Sequence, residues 1–418
     1  MKIVLLMLSM LPFWGSIVFA QNNLVLNPGF EEYTSCPTGN DQINRAKYWS
    51  SIDSLVTYKT GYDCYPDLCH RCVVFATDSF NSIPRSTNYW QYPRTGDGMM
   101  QFGAYYYDVK PGGWGGRQYV QGRLRNKLVA GKQYCVSFFV NLEDCSGFSV
   151  KEISAYLDNG AIDTASKCDW PQTQYTPQVK NTGGFLSDTM GWMKIEGSFI
   201  AKGTESFITI GNFNDDAHTT VMPAPYNPSF YFGIGHGIYL LDDVSVIPSD
   251  LPADAGPDTH VGKGDSVYIG RPKEVGPECS WSVLGSSSVI GKGVGIWVKP
   301  SVTTSYVVTQ TLCGVTKKDT VRVEVWAAGV HSVNGQRQEY TFAPNPVPDQ
   351  MQLLQGVPDE KLVVMSLYDA TGRLVVNRNL SFKESRAGVD VLDLSSGFYY
   401  LKLNDAYGNV YSLKVVKE

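Results

Sequence analysis

Residues 237–248 read GIYLLDDVSVIP. Side chains along an extended strand point alternately to its two faces. In the LLDDVSV portion that alternation sets Asp242 on the face of Val244 and Val246, and Asp243 on the other face with Ser245. If the valines face a core, Asp242 is a carboxylate in apolar surroundings. Such a group needs a cation or several hydrogen-bond donors. The stretch therefore predicts a buried strand, and it marks one acid on that strand as needing a partner.

The same pattern recurs along the chain. MKIEGSFIA, ESFITIGNF, DSVYIG, TSYVVTQT, DTVRVEVW, KLVVMSLYD and NVYSLKVV are short alternating runs bounded by Gly, Pro, Asn and Asp. Long stretches of period 3.6 are absent. This predicts an all-β protein built from sandwiches. A chain of 418 residues is long enough for two to four domains. Its formal net charge is -5 with 18% charged residues, which offers no electrostatic basis for a nucleic-acid partner.

The first twenty residues predict export. Lys2 is followed by the apolar run Ile3 to Leu11, and Val18 and Ala20 occupy the small-residue offsets of a cleavage site before Gln21. Pro12, Gly15 and Ser16 interrupt the run, which argues against a membrane anchor. No later stretch has the ~18 consecutive apolar residues of a membrane helix. The run IPSDLPADAGPD (247–258) reads as a linker, and a second break spans 327–349. The predicted organisation is a signal peptide at 1–20 and domains at 21–248, 250–326 and 341–418.

Export also bears on the nine cysteines. CYPDLCHRC (64–72) has the C-x4-C-x2-C spacing of a zinc site, with His70 inside it. In an oxidising compartment the same residues are expected to form disulfides. Cys279 and Cys313 stand alone in a later segment and are the first expected pair. Cys36 with Cys64 is the second. Cys135, inside the apolar run YCVSFFV, is the candidate free thiol. The partners of Cys69, Cys72, Cys145 and Cys168 stay open.

Three resemblances follow from longer motifs. FAPNPVPD, VVMSLYDATGRLVV, DVLDLSSGFYYLKLND and the terminal VYSLKVVKE together resemble the type A sorting domain of the type IX secretion system. The matching residues are Pro344, Asn345, Pro346, Tyr368, Asp369, Gly372, Leu394, Gly397, Tyr399, Leu401 and Lys414 to Lys417; Ser395-Ser396 replaces the family's Leu-Pro. This implies that residues 341–418 engage the secretion machinery, and that the product is secreted or held at the cell surface. AGPDTHVGKGDSVYIG, CSWSV and PSVTTSYVVTQTLC resemble immunoglobulin-like repeats, which implies a spacer stapled near Trp281. NLVLNPGFEEY (23–33) and GIYLLDDVSVIP resemble the first and last strands of the galactose-binding-like jelly roll of carbohydrate-binding modules. The expected fold is thus a jelly-roll sandwich, an Ig-like sandwich and a small C-terminal β-sandwich.

The jelly-roll resemblance implies a structural calcium between those strands, held by Glu31 and Asp242 with Glu32 and Asp243 as alternates. Calcium takes hard oxygen ligands. Aromatic residues in loop-like stretches suggest a glycan site: Trp90 and Tyr92 in STNYWQYPRTG, Tyr107 and Trp114 in AYYYDVKPGGWGGRQY. Sugar C–H faces stack on such rings while neighbouring polar groups take the hydroxyls. Trp49 and Trp192 lie in strand patterns and are expected in the core. Catalytic motifs such as H-E-x-x-H, G-x-S-x-G and the P-loop are missing. His218 and His236, with Asp215 and Asp216, form a weaker metal candidate. The expectation is a non-catalytic secreted protein binding glycan. A surface adhesin for a protein partner and a polysaccharide-cleaving enzyme are the alternatives.

Overall fold

The computed structural model describes residues 22–52, 66–73, 81–106, 117–162, 171–224, 235–326, 332–333, 336–337, 340–344, 346–355, 363–383, 386–405 and 410–418. The export signal at 1–20 lies outside them. The chain divides into two compact units: Met1–Thr259 with Ser266–Lys299 and Thr303–Glu324, and His260–Asp265 with Pro300–Val302 and Val325–Glu418. The architecture is all-β throughout, with two short 3-10 turns among the described residues.

Twelve strands form the N-terminal sandwich. They are β1 (Trp49–Ser51), β2 (Asp67–His70), β3 (Gly98–Tyr106), β4 (Val120–Arg123), β5 (Gln133–Leu142) and β6 (Phe148–Val150), then β7 (Ser154–Asp158), β8 (Val179–Lys180), β9 (Met193–Ile200), β10 (Phe207–Gly211), β11 (Val221–Pro223) and β12 (His236–Pro248). One antiparallel sheet runs β1-β4-β10-β7-β8 and the facing one β2-β3-β12-β5-β9, with β6 and β11 as a separate pair. This is the jelly-roll arrangement, and β12, the strand read first, is at the centre of its sheet.

β5 shows why these residues make that sheet. Tyr134, Val136, Phe138, Val140 and Leu142 point into the main core, against Val120, Ile208 and Ile210 of the facing sheet. Cys135, Ser137, Phe139 and Asn141 alternate to the other face, and these too are buried. The sheet is covered on both sides, so its strands read as nearly continuous apolar runs. One cover is the loop 81–97. Its Tyr89 packs with Cys69, Met99 and Leu240, beside Ile83 and Trp192.

The second sandwich belongs to the same compact unit. Strands Val315–Trp326, Thr304–Leu312, Glu278–Val283 and Val289–Lys292 lie side by side in that order, and Val267–Gly270 pairs with Gly295–Val298. Trp281 is fully buried there, and its Nε1 donates to the Gly293 carbonyl at 2.9 Å. The other unit holds the C-terminal sandwich. Its three-stranded sheet is Tyr340–Ala343, Gln350–Gln355 and Arg386–Asp390, and its four-stranded sheet is Leu374–Leu380, Val363–Asp369, Gly397–Asn404 and Val410–Lys417. Met351, Leu353, Met365, Leu367, Leu401 and Val415 fill its core.

The disulfides differ from the expected pairs. Cys36 bonds Cys72, not Cys64, which lies outside the described residues. The pairing of β2 with β3 carries Cys72 past the strand end, and Tyr33 packs on His70 with ring centroids 4.5 Å apart. Cys135 is not free: it bonds Cys313 across 178 residues, joining the two sandwiches. Cys279 is a free buried thiol, as are Cys69 and Cys145. Cys279 lies opposite Gln310 on a neighbouring strand of one sheet, while Cys313 sits in the turn beyond that strand at φ 44°. Cys69 alternates away from Leu68, which is in the main core, and comes to lie under Tyr89.

Glu143 ends β5 on this covered face. It is fully buried and has no cation partner among the described residues. Gln101 Nε2 donates to its Oε1, and the Cys145 thiol to its Oε2 at 3.6 Å. Burial pushes its carboxyl up to about 8.

Peptide mapping without reductant is expected to recover Cys36–Cys72 and Cys135–Cys313 cross-links. Alkylation of the denatured, unreduced chain should label Cys69, Cys145 and Cys279. Opening the Cys135–Cys313 loop with paired serines should cost about 5 kcal/mol in the chain-entropy picture. The Glu143 prediction concerns pH. A carboxyl held higher in the folded than in the unfolded chain makes folding take up a proton, so its contribution to stability falls as pH rises between about 4.5 and 8 and then levels. Unfolding midpoints across that window should lose this slope in Glu143→Gln. An identical slope in both proteins would show that Glu143 ionises normally.

Candidate functional site

The loop over the covered sheet presents an aromatic rib. An isolated bridge pairs Trp90 with Arg85, and burial alternates over residues 89–92. Tyr89 and Gln91 are buried, while Trp90 and Tyr92 are 56% and 52% exposed. The segment is pinned from below. Trp90 N donates to Asp144 Oδ2 at 2.8 Å, Gln91 Nε2 to the Met190 carbonyl at 3.2 Å, and Trp192 Nε1 to the Tyr92 carbonyl at 3.3 Å. Arg71 lies 5.6 Å from the Tyr92 ring centroid and pairs with Asp97 at 3.1 Å. Two open rings, a guanidinium and a carboxylate thus share one surface. That set can stack on a sugar face and bond its hydroxyls.

Other expected positions divide. Trp49 is in the core at 4% exposure, under Gly122, where an added Cβ would meet its ring at 2.5 Å. Trp192 is partly buried against the Tyr89 cluster. Tyr107 and Trp114 lie outside the described residues. Arg71 is a neighbour that the sequence did not single out, because β2 brings it to Tyr92 from 21 positions away.

The second candidate place is the acid pair of β12. A register shift falls between Asp242 and Ser245, and Asp243 has φ 51°. Leu241 and Val244 therefore both enter the main core, and strict alternation breaks between them. Asp242 is fully buried, as read from the sequence, but through this bulge and not by sharing the valines' face. Its Oδ2 accepts Arg94 N at 2.8 Å and Thr95 N at 3.2 Å, and its Oδ1 accepts Asp243 N at 2.7 Å. Asp243 takes Arg94 Nη1 at 2.5 Å and Thr95 Oγ1 at 2.7 Å. Burial, and then the Asp243 charge, push the Asp242 carboxyl up, while the three N–H groups pull it down.

Glu31 stands nearby on the opening segment 22–33, which carries isolated bridges at Val25 and Tyr33 in place of the expected first strand. Its Oε1 accepts Asp97 N at 2.9 Å and Gly98 N at 3.1 Å, so it clamps the same 94–98 loop. Gly96, at φ 67°, leaves room for it; a Cβ there would stand 2.0 Å from Glu31 Oε1. Glu31 and Asp242 thus hold one loop from two sides. Two buried carboxylates on β12 face one guanidinium, and Asp242 meets backbone N–H groups alone.

The histidine group does not assemble. His218 Nδ1 meets Asp215 Oδ1 at 2.6 Å on an exposed turn, Asp216 pairs with Arg117 at 2.7 Å, and His236 stacks on Tyr106 at 4.7 Å. Among the described residues, one trio of metal-type side chains converges: Cys135, Glu196 and Cys313. Its two sulfurs are the disulfide, so it offers no thiolate.

Among the described residues no helix is long and apolar enough to cross a membrane. No curated protein matches the chain. Several solved structures are similar to parts of it. A chimeric titin Z1Z2-Z1Z2 tandem carrying a fibronectin GRGDS peptide is 16% identical over 39% of this chain and 95% of its own, with TM-score 0.16. Apo β-glucuronidase 3 of Bacteroides uniformis is 13% identical over 41% of this chain and 25% of its own, with TM-score 0.17. The CBM22-1–GH10 modules of Clostridium thermocellum xylanase 10B, complexed with xylohexaose, are 11% identical over 59% of this chain and 34% of their own, with TM-score 0.27. Residues 341–418 match the family described as the secretion system C-terminal sorting domain, and that tail makes the chain a secreted or cell-surface protein addressed to the type IX machinery.

Proposed function

We propose that the protein is a non-catalytic glycan-binding protein, exported by its C-terminal sorting domain, and that the Trp90–Tyr92 rib is its sugar platform. The observation that carries this reading is the pinned segment 89–92, along which burial alternates. It holds two large rings open to solvent on a backbone whose neighbouring side chains are buried. Exposed rings fixed in place lose little entropy when a ligand stacks on them. The expected result is that Trp90→Ala or Tyr92→Ala weakens retention on glycan arrays with the melting temperature unchanged. A protein adhesin would instead show no retention of the wild type by any glycan at millimolar concentration. Release of new reducing ends would favour the polysaccharide-cleaving alternative.

Calcium is a further part of this reading. Glu31, Asp242 and Asp243 carry hard carboxylate oxygens around the 94–98 loop, and a divalent cation would have to draw them together, since they do not converge unaided. The ion would brace the 94–98 loop, which leads into the rib. Chelation should then lower the melting temperature, and added Ca2+ should restore it. No shift on chelation would show that Arg94 and the backbone N–H groups suffice.

A further inference from the structure

A cleft of about 1190 Å³ lies within the first compact unit, between its two sandwiches. One wall is jelly roll: Glu31, Glu32, Tyr48, Arg94 and Arg125. The other is the second sandwich: Tyr268, Lys273, Glu274, Glu278 and Lys292. The walls are tied together. Asn22 N and Nδ2 donate to Glu274 at 2.9 and 3.0 Å, Lys194 pairs with Glu278 at 3.4 Å, and Cys135 bonds Cys313. Clefts between packed domains are frequent ligand sites, and a tied cleft needs little ordering to bind.

The charges of the lining are unevenly used. Glu31 is held by the Asp97 and Gly98 amides, Glu32 by Lys47, Asp243 by Arg94, Glu274 by Asn22 and Glu278 by Lys194. Glu32, Asp243 and Glu278 thus pair with cations, whereas Glu31 and Glu274 are met by N–H groups. Lys273 and Lys292 are exposed and make no ion pair among the described residues. These two lysines therefore offer local positive charge on the wall of the second sandwich.

The second sandwich also presents one ring in the cleft and a second beside it. Tyr268 and Trp297 are directly opposed across paired strands, with centroids 5.6 Å apart and an edge-on angle of 65°. Tyr268 lines the cleft. Its hydroxyl donates to the Arg271 carbonyl at 2.8 Å, and it sits over Gly295, where a Cβ would meet the hydroxyl at 2.4 Å. The tyrosine is thus fixed, and Trp297 beside it is 70% exposed. An edge-on neighbour leaves an indole face open.

We propose that this cleft is a second binding site, for an anionic oligosaccharide of the uronic-acid type. Trp297 and Tyr268 take the C–H faces of its rings, and Lys273 and Lys292 take its carboxylates. The second sandwich is then a working part of recognition and not only a spacer. This proposal does not depend on the Trp90–Tyr92 rib.

The test is calorimetry of the full secreted chain with tetragalacturonic acid, with maltotetraose as the neutral probe and tetraglutamate as the charge-only probe. Binding of tetragalacturonic acid should weaken with added salt. It should fall about tenfold or more in Lys273→Glu/Lys292→Glu and in Trp297→Ala, a loss that corresponds to about 1.4 kcal/mol or more. Trp90→Ala should leave it unchanged, which separates this site from the rib. Both other probes should bind more weakly. These exposed substitutions should keep the wild-type melting temperature. The proposal is overturned by any of three results: no binding at millimolar concentration, equal binding of tetraglutamate with no effect of Trp297→Ala, or loss in Trp90→Ala but not in the lysine pair.

Discussion

The carboxylate of Asp242 organises the N-terminal sandwich. It lies in the middle of the central strand, out of reach of water, and its charge is met by three backbone N–H groups. Two of these come from residues 94 and 95, so the acid fixes a loop as well as a strand. Leaving a buried acceptor of this kind unpaired costs on the order of 1–3 kcal/mol, more for a charge. The bulge that turns Asp242 and Asp243 out of alternation also lets Val244 N reach the Pro28 carbonyl. The first and last parts of the sandwich are thereby held side by side.

Asn23 repeats this economy at the next step along the strand. Its Nδ2 donates to the Val244 carbonyl at 2.9 Å and to the Val275 carbonyl at 3.1 Å, and its Oδ1 accepts Val25 N and Val246 N, each at 3.1 Å. One buried side chain satisfies the opening segment, the central strand and the second sandwich. Arg94 acts similarly: it neutralises Asp243 and lies 3.5 Å over the Phe139 ring. Polar groups that are fully paired in a covered sheet specify one arrangement, because any slip leaves several of them unmet.

The covering of both sheet faces connects fold to function. A jelly-roll sheet with one wet face has no need of the 81–97 loop. Here that loop buries Tyr89 and so turns Trp90 and Tyr92 outward on a supported backbone. At the other end of the same face, Cys135 and Ile247 pack with Leu312, and the disulfide to Cys313 holds the second sandwich in place. The C-terminal unit has its own closure. Val347 N donates to the Val416 carbonyl and Glu418 N to the Val347 carbonyl, so Val347 and the last residues of the tail are neighbours.

Strand composition was legible in the chain because period-two alternation and Gly, Pro and Asn breaks are local properties. So were the sorting tail, whose motifs are contiguous, and the need of Asp242 for donors, which follows from one charge in an apolar run. Trp49 and Trp281 were legible as core for the same reason. The donors themselves were not: Arg94 and Thr95 are 148 and 147 positions from Asp242, and only the fold makes them adjacent. The cysteine partners were equally hidden. Cys279 and Cys313 are close in sequence, but strand register sets Cys279 opposite Gln310, and the packing of two sandwiches brings Cys313 to Cys135. Periodicity is written residue by residue, whereas bulges, register and packing between sheets depend on groups far apart in the chain. The sequence by itself therefore determined the strand-forming character of the chain and where it is sent, and the tertiary structure decided which rings are open and which charges have no internal partner.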